Sequence, residues 1–175
     1  MLKNFTKSAA IAMMSSVITL AFISLTGQAQ NQYQAQINKQ LLLDFFNFQG
    51  TDEERMQQLL AEDYVQHNPR FLAMNEFTGA SGNRAWVAAR EEARARGGIP
   101  LVDLGGIRLR DPIIIMAEDD LVTAIYKGDL PNPDKPGETY EAFAFETFRV
   151  RDGKFTEHWD QVTLEPGWMN INKTE

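Results

Sequence analysis

Apolar residues recur at helical spacing in the first half of the chain and alternate in the second. Ile37, Leu41, Leu42, Phe45, Phe46 and Phe48 share one helical face, which predicts a helix over about residues 31 to 48 ending at Gly50. Thr51 and Glu54 have capping-box spacing for a second helix, whose stripe of Met56, Leu59 and Leu60 leads on into Tyr64. A third helix is predicted over about 83 to 96 from Trp86, Val87 and Ala89, with Arg90, Arg94 and Arg96 in its later turns and Gly97 as its stop. From Ile107 onward the runs are short and β-rich. Ile113 to Met116, the turn Glu118-Asp119-Asp120, and Leu121 to Tyr126 describe a hairpin. Tyr140 to Val150 alternates and reaches its partner, about Lys154 to Val162, through Arg151-Asp152-Gly153, where glycine supplies the positive φ of a tight turn. Gly128 to Gly137, with three prolines, is expected to be a long loop at the rim. Helices followed by antiparallel strands predict an α+β fold in which the sheet curls over the helices, leaving a cone whose wide end is a small-molecule pocket.

The first 29 residues change the picture of what folds. Lys3 and Lys7 precede a mostly apolar stretch from Ala9 to Leu25, Gly27-Gln28-Ala29 offers small residues for cleavage, and no acidic residue precedes Asp44. This is the pattern of an export signal; an uncleaved membrane anchor is the alternative, weakened by Ser15, Ser16, Thr19 and Ser24. The expectation is a signal peptide over 1–29 and a single domain over 30–175, in a periplasm or secreted. Having no cysteine, the protein can carry neither a disulfide nor a lipoprotein anchor. The remaining chain, 43% hydrophobic over the full 175 residues, is large enough for one core. Its formal net charge of −7 becomes −9 once Lys3 and Lys7 leave, and no basic cluster stands apart from acidic neighbours. That argues against nucleic acid and anionic membrane surfaces as partners.

The chain has two histidines, each in a polar-aromatic cluster: His67 within Tyr64-Val65-Gln66-His67-Asn68-Pro69, and His158 within Glu157-His158-Trp159-Asp160. Histidine transfers protons near neutrality, so these are the candidates for acid/base work; each could equally tie a loop to a strand. Strand parity directs His158 and Asp160 to one face and Phe155, Glu157, Trp159 and Gln161 to the other, and either face could line a pocket. Glu146 shares its face with Tyr140, Ala142, Ala144 and Phe148, with Arg149 on the opposite face, so it is a cavity acid or half of a structural pair. Glu118-Asp119-Asp120 is expected to be a solvated turn without chemistry. No histidine pair has helical metal-ligand spacing, and no phosphate loop, nucleophile elbow or dinucleotide fingerprint is present. No metal and no cofactor are expected.

These residues resemble a family. Tyr64 to Pro69 after two helices, Ile115-Met116-Ala117-Glu118-Asp119-Asp120-Leu121-Val122, Phe145-Glu146-Thr147-Phe148-Arg149-Val150, and Asp152 to Asp160 make the chain, over about 38 to 165, similar to SnoaL-like proteins of the nuclear transport factor 2-like superfamily, in the branch linked to aldol condensation. The resemblance implies a cone of three helices on a strongly curved, mixed, mainly antiparallel sheet, often dimeric through the sheet's outer face. It implies a pocket for a small apolar or polyketide-like molecule, and an acidic residue that enolises the substrate and closes a ring without metal or cofactor. Two departures stand out: the cyclase aspartate position falls on Thr163, with Asp160 nearby, and Glu146 stands where aspartate is common. The expected catalytic residues are Asp160, His67 and His158, and the expected substrate-binding residues Tyr64, Asn68, Trp86, Glu146 and Trp159. Three functions stay open, an acid/base cyclase, isomerase or dehydratase, a non-catalytic periplasmic binder of small ligands, and a structural adaptor using the sheet face.

Overall fold

Asn38, Leu42, Phe45 and Phe46 are buried on one face of a helix that runs through residues 28–48, here α1. The computed structural model describes residues 28–49, 51–95, 109, 111–132 and 134–160. The expected export segment up to residue 27, and the strand end expected at Val162, lie outside the described residues. Phe45 is the hub of the core, with its ring edge-on to Phe46, Trp86, Phe148 and Phe155 at centroid distances of 5.2 to 5.4 Å. Full burial of such a ring contributes on the order of 2–3 kcal/mol.

The second helix departs from expectation at both ends. Thr51 closes the preceding helix instead of capping its own: its Oγ1 donates to the carbonyls of Asn47 and Phe48 at 2.7 and 3.0 Å. Asp52 is the N-cap of α2, Glu53–Gln58, and accepts the Arg55 N–H at 3.0 Å. The helix does not run on to Tyr64, because Leu60–Gln66 is strand β1. β1 pairs parallel to the last strand with an irregularity between Leu60 and Val65, so its buried residues fall at 60, 64 and 66. The four-residue step from Leu60 to Tyr64 imitates a helical stripe. Helix α3, Pro69–Thr78, was not expected; proline opens it, where a missing N–H costs nothing. A short 3₁₀ turn, Gly82–Arg84, leads into α4, Ala85–Ala95, close to the predicted third helix. Gly82 has φ +57°, and a Cβ there would lie 1.9 Å from the Glu62 carbonyl oxygen, so this turn presses onto the backbone of β1.

The sheet continues with β2, Ile114–Glu118, β3, Leu121–Pro131, β4, Thr139–Arg151, and β5, Lys154–Asp160, in the order β1-β5-β4-β3-β2. All neighbours are antiparallel except β1 and β5. The predicted proline-rich loop is shorter than expected, since the β3–β4 ladder extends to Pro131 opposite Thr139. Beyond Ile125 no residue of β2 pairs with β3, so among the described residues no ladder bond on that side of Pro131 is broken by its missing N–H. The β4–β5 hairpin turns through Asp152 and Gly153, with φ 51° and 72°, as the sequence required.

Alternation in β5 is broken where it matters. Arg149 faces Glu157 but Val150 faces Phe155, so Thr156 is the extra residue of a β-bulge. Phe155 and His158 are consequently both buried on the concave face, whereas unbroken parity set them on opposite faces.

Candidate functional site

Adjacent rows of the sheet build the site. Across β4 and β5, Phe148 stands opposite His158 and Glu146 opposite Asp160, while Gln66 of β1 pairs with His158 from the other side. Tyr64 lies two residues before Gln66 on the same buried face, and Asn68 follows the strand. From above, α4 lowers Trp86, whose ring is 5.3 Å from His158 and stacked on Phe71 at 4.6 Å. The His158 imidazole is fully buried and lies on Phe148, with centroids 4.0 Å apart and planes within 14°.

Each polar group in this apolar setting has a fixed partner. His158 Nε2 is 2.6 Å from Glu146 Oε2. Asn68 donates its backbone N–H to Gln66 Oε1 at 3.0 Å, and His158 Nδ1 faces both ends of the Gln66 amide, Nε2 at 2.8 Å and Oε1 at 3.1 Å. With its proton on Nε2 the imidazole donates to Glu146 and accepts from Gln66 Nε2; with its proton on Nδ1 it donates to Gln66 Oε1 and accepts from a protonated Glu146. Gln66 Nε2 also reaches the Tyr64 hydroxyl at 3.3 Å. Asp160, half-buried, accepts from Asn68 Nδ2 at 2.6 Å through Oδ2.

Burial sets the charge states. It pushes the Glu146 carboxyl up to about 8 and the His158 imidazole down to about 4; the Asp160 charge opposes the second shift and His67 reinforces it. The 2.6 Å contact has the spacing of an ion pair, yet burial disfavours the charged form of both groups. Tyr64 is held well above the usual phenol range, first by burial and then by Glu146 and Asp160, and stays a neutral hydroxyl.

Among the described residues, Glu146, His158 and Asp160 are the one set of three metal-ligating side chains whose ligand atoms lie within 4.8 Å of one another. Ligands sharing a cation at about 2.1 Å stand roughly 3 Å apart. Glu146 and His158 stand closer than that, at 2.6 Å, and hydrogen-bond each other directly.

The expected site residues divide between two faces. Tyr64, Asn68, Trp86, Glu146, His158 and Asp160 come together on the concave side. His67 and Trp159 do not join them: they stack on the outer face at 5.0 Å with planes 6° apart. There His67 Nε2 is 3.4 Å from Glu157 Oε2, and Arg149 bonds Glu157 at 3.0 Å and Asp120 at 2.6 Å. Arg149 is thus no partner for Glu146, as parity indicated. The acidic turn is not wholly solvated, since Asp120 anchors Arg149 and the Asp119 carbonyl accepts from buried Asn38 at 3.2 Å. Sequence reading gave Gln66 only as a neighbour of His67 and Phe148 only as a face-mate of Glu146, because their contacts with His158 come from strand pairing between distant segments. Open hollows near Asn38 and Asp152, and near Tyr33 and Ala117, hold no comparable set of groups.

No curated protein matches the chain. Among solved structures, a candidate polyketide cyclase from Xanthomonas campestris pv. campestris is 23% identical, with a TM-score of 0.48 over 77% of this chain and 96% of that one. A nuclear transport factor 2-like protein of unknown function from Burkholderia pseudomallei K96243 is 14% identical, with a TM-score of 0.48 over 73% and 91%. An epoxide hydrolase from M. tuberculosis is 18% identical, with a TM-score of 0.44 over 73% and 83%. Residues 42–158 match the SnoaL-like domain family, from the core face of α1 to His158 itself, and the chain belongs to that family, with its nuclear transport factor 2-like α+β fold.

Proposed function

We propose that the concave side of the sheet binds a small, largely apolar carbonyl compound and transfers a proton at the carbon beside the carbonyl, without metal or cofactor, as in aldol-type cyclisation, isomerisation or dehydration. The observation that carries this reading is the buried set of Glu146, His158 and Asp160, in which burial holds one carboxyl protonated at neutral pH beside a second that is half-exposed. Asp160, steadied by Asn68, is the base: it takes the proton, the C–H electron pair becomes the enolate double bond, and negative charge moves to the carbonyl oxygen. Glu146 supplies a proton or hydrogen bond to that oxygen, and His158, locked by Gln66, holds Glu146 in place. Tyr64 and Trp86 wall the site.

Asp160→Asn should abolish turnover by about 10²–10⁴-fold while ligand binding persists. The wild-type enzyme should keep its activity after exhaustive chelation and exchange substrate α-protons with deuterated solvent. Activity lost on chelation and restored by a divalent cation would refute the scheme.

A non-catalytic binder is the second reading, favoured by the mutual saturation of Glu146 and His158, each under 5% exposed. It expects Asp160→Asn to change affinity alone. Two further parts of the proposal stand apart from the chemistry. Export is checked by mass spectrometry, where a mature N-terminus still at Met1 would count against it. Homodimerisation through the outer sheet face, where Ile114, Met116, Phe143 and Phe145 are exposed, is checked by sedimentation, where a monomer at all concentrations would count against it.

A further inference from the structure

His158 Nδ1 faces the donor and the acceptor of one amide, with Gln66 Nε2 at 2.8 Å and Gln66 Oε1 at 3.1 Å. Strand pairing fixes this geometry, since Gln66 of β1 is in register with His158 of β5. The amide is held at both ends: Oε1 accepts from the Asn68 backbone N–H at 3.0 Å, and Nε2 lies 3.3 Å from the Tyr64 hydroxyl. Across the ring, His158 Nε2 meets Glu146 Oε2 at 2.6 Å, and all three side chains are buried. A buried carboxylate needs an N–H facing it, whereas a protonated carboxyl can donate to a bare ring nitrogen. A neutral imidazole offers one or the other according to its tautomer, and its second nitrogen then takes the opposite role. A pure donor or a pure acceptor beside Nδ1 would satisfy one tautomer and strand the other. Gln66, a primary amide, serves both through a small rotation.

We propose that Gln66 is a positioning residue that lets His158 exchange tautomers with the protonation of Glu146, so that the buried pair gains or loses a proton while the imidazole stays neutral. In the protonated state Glu146 donates to Nε2, and Nδ1–H donates to Gln66 Oε1. In the ionised state Nε2–H donates to the carboxylate, and Gln66 Nε2–H donates to Nδ1. Between the two the carboxyl O–H and the Nδ1–H bonds break, the Nε2–H bond forms, and one proton passes to solvent. The exchange goes beyond the chemistry proposed above and needs no turnover, so it serves a catalyst and a binder alike. Burial supports it from both sides, raising the carboxyl to about 8 and lowering the imidazole to about 4, which keeps the ring neutral throughout that interval. The other titratable groups bordering the pair are Asp160 on β5, Tyr64 and His67 on β1 and Tyr126 on β3, and burial keeps both phenols neutral there. Trp86 of α4 and Phe148 of β4 add uncharged rings.

The test is nitrogen NMR of the labelled imidazole in His67→Ala, where His158 is the one histidine left in the chain. Bare and protonated ring nitrogens resonate far apart, so the tautomer is read directly. As pH rises from above 4 through 8, a bare Nε2 should give way to a bare Nδ1 with one ring proton throughout, and the Gln66 side-chain amide should shift with the same midpoint. In the same background Gln66→Met, which has neither donor nor acceptor, should hold one tautomer, and Glu146→Gln, which cannot titrate, should abolish the pH dependence. A single tautomer throughout in the starting protein would overturn the proposal, as would a ring carrying both protons when Glu146 ionises. An exchange that leaves the Gln66 amide unmoved, or that persists in Gln66→Met or Glu146→Gln, would overturn it equally, and the amide signal decides the role of Gln66 even if Gln66→Met does not fold.

Discussion

Glu146→Gln tests the charge state on which the chemistry depends. The substitution keeps the shape of the side chain and a hydrogen-bonding group facing His158 Nε2, but removes the titration. In the unfolded chain Glu146 releases its proton near the ordinary value of 4.5, and in the folded protein at about 8. The native state thus holds the extra proton between those values, and this contribution to stability, complete below 4.5, is lost as pH rises through 8. His158 acts in the opposite sense, its stability being present above 6.5 and lost as pH falls toward 4. Between pH 4.5 and 6.5 the two trends offset each other; above 6.5 Glu146 acts nearly alone. The wild-type protein should therefore lose on the order of 1–2 kcal/mol relative to Glu146→Gln between pH 6.5 and 8. That difference corresponds to about 3–6 °C in melting temperature for a domain of this size. Urea denaturation of both proteins at half-unit pH steps measures it, the difference cancelling the titration of every other group. Parallel stability profiles across pH 6.5 to 8 would mean that Glu146 is already ionised at neutrality and is no proton donor.

The two histidines should respond differently to removal. His158→Ala leaves a cavity beside Phe148 and strands a buried carboxyl, and should cost about 3 kcal/mol or more in chemical denaturation, whereas His67→Ala removes a half-exposed stack on Trp159 and should cost under about 1 kcal/mol. Equal losses would contradict the division between faces. Gly82→Ala forces a methyl toward the Glu62 carbonyl at a positive φ and should destabilise by more than about 1 kcal/mol, with faster hydrogen exchange along β1; an unchanged midpoint would show that the turn yields.

Local patterns made α1, α4 and both hairpins legible, because helical spacing and turn chemistry are set by residues a few positions apart. The same reasoning identified Glu146 as an acid on an apolar face and singled out both histidines. It failed where distant pairing decides the geometry. The stretch from Leu60 into Tyr64 reads as the end of a helix until the parallel ladder to β5 makes it a strand and turns Gln66 toward His158, 92 residues away. Parity in β5 held for His158 and Asp160 but not for Phe155, because the bulge at Thr156 exists only in relation to Arg149 and Val150 on the facing strand. Which histidine enters the core is likewise not a local property. His67 and His158 have similar polar-aromatic neighbours, and successive residues of adjacent strands send one imidazole out to Trp159 and the other in to Glu146. Residue identity supplied the inventory of acids and imidazoles, while desolvation, which only the assembled core produces, gave them their protonation states.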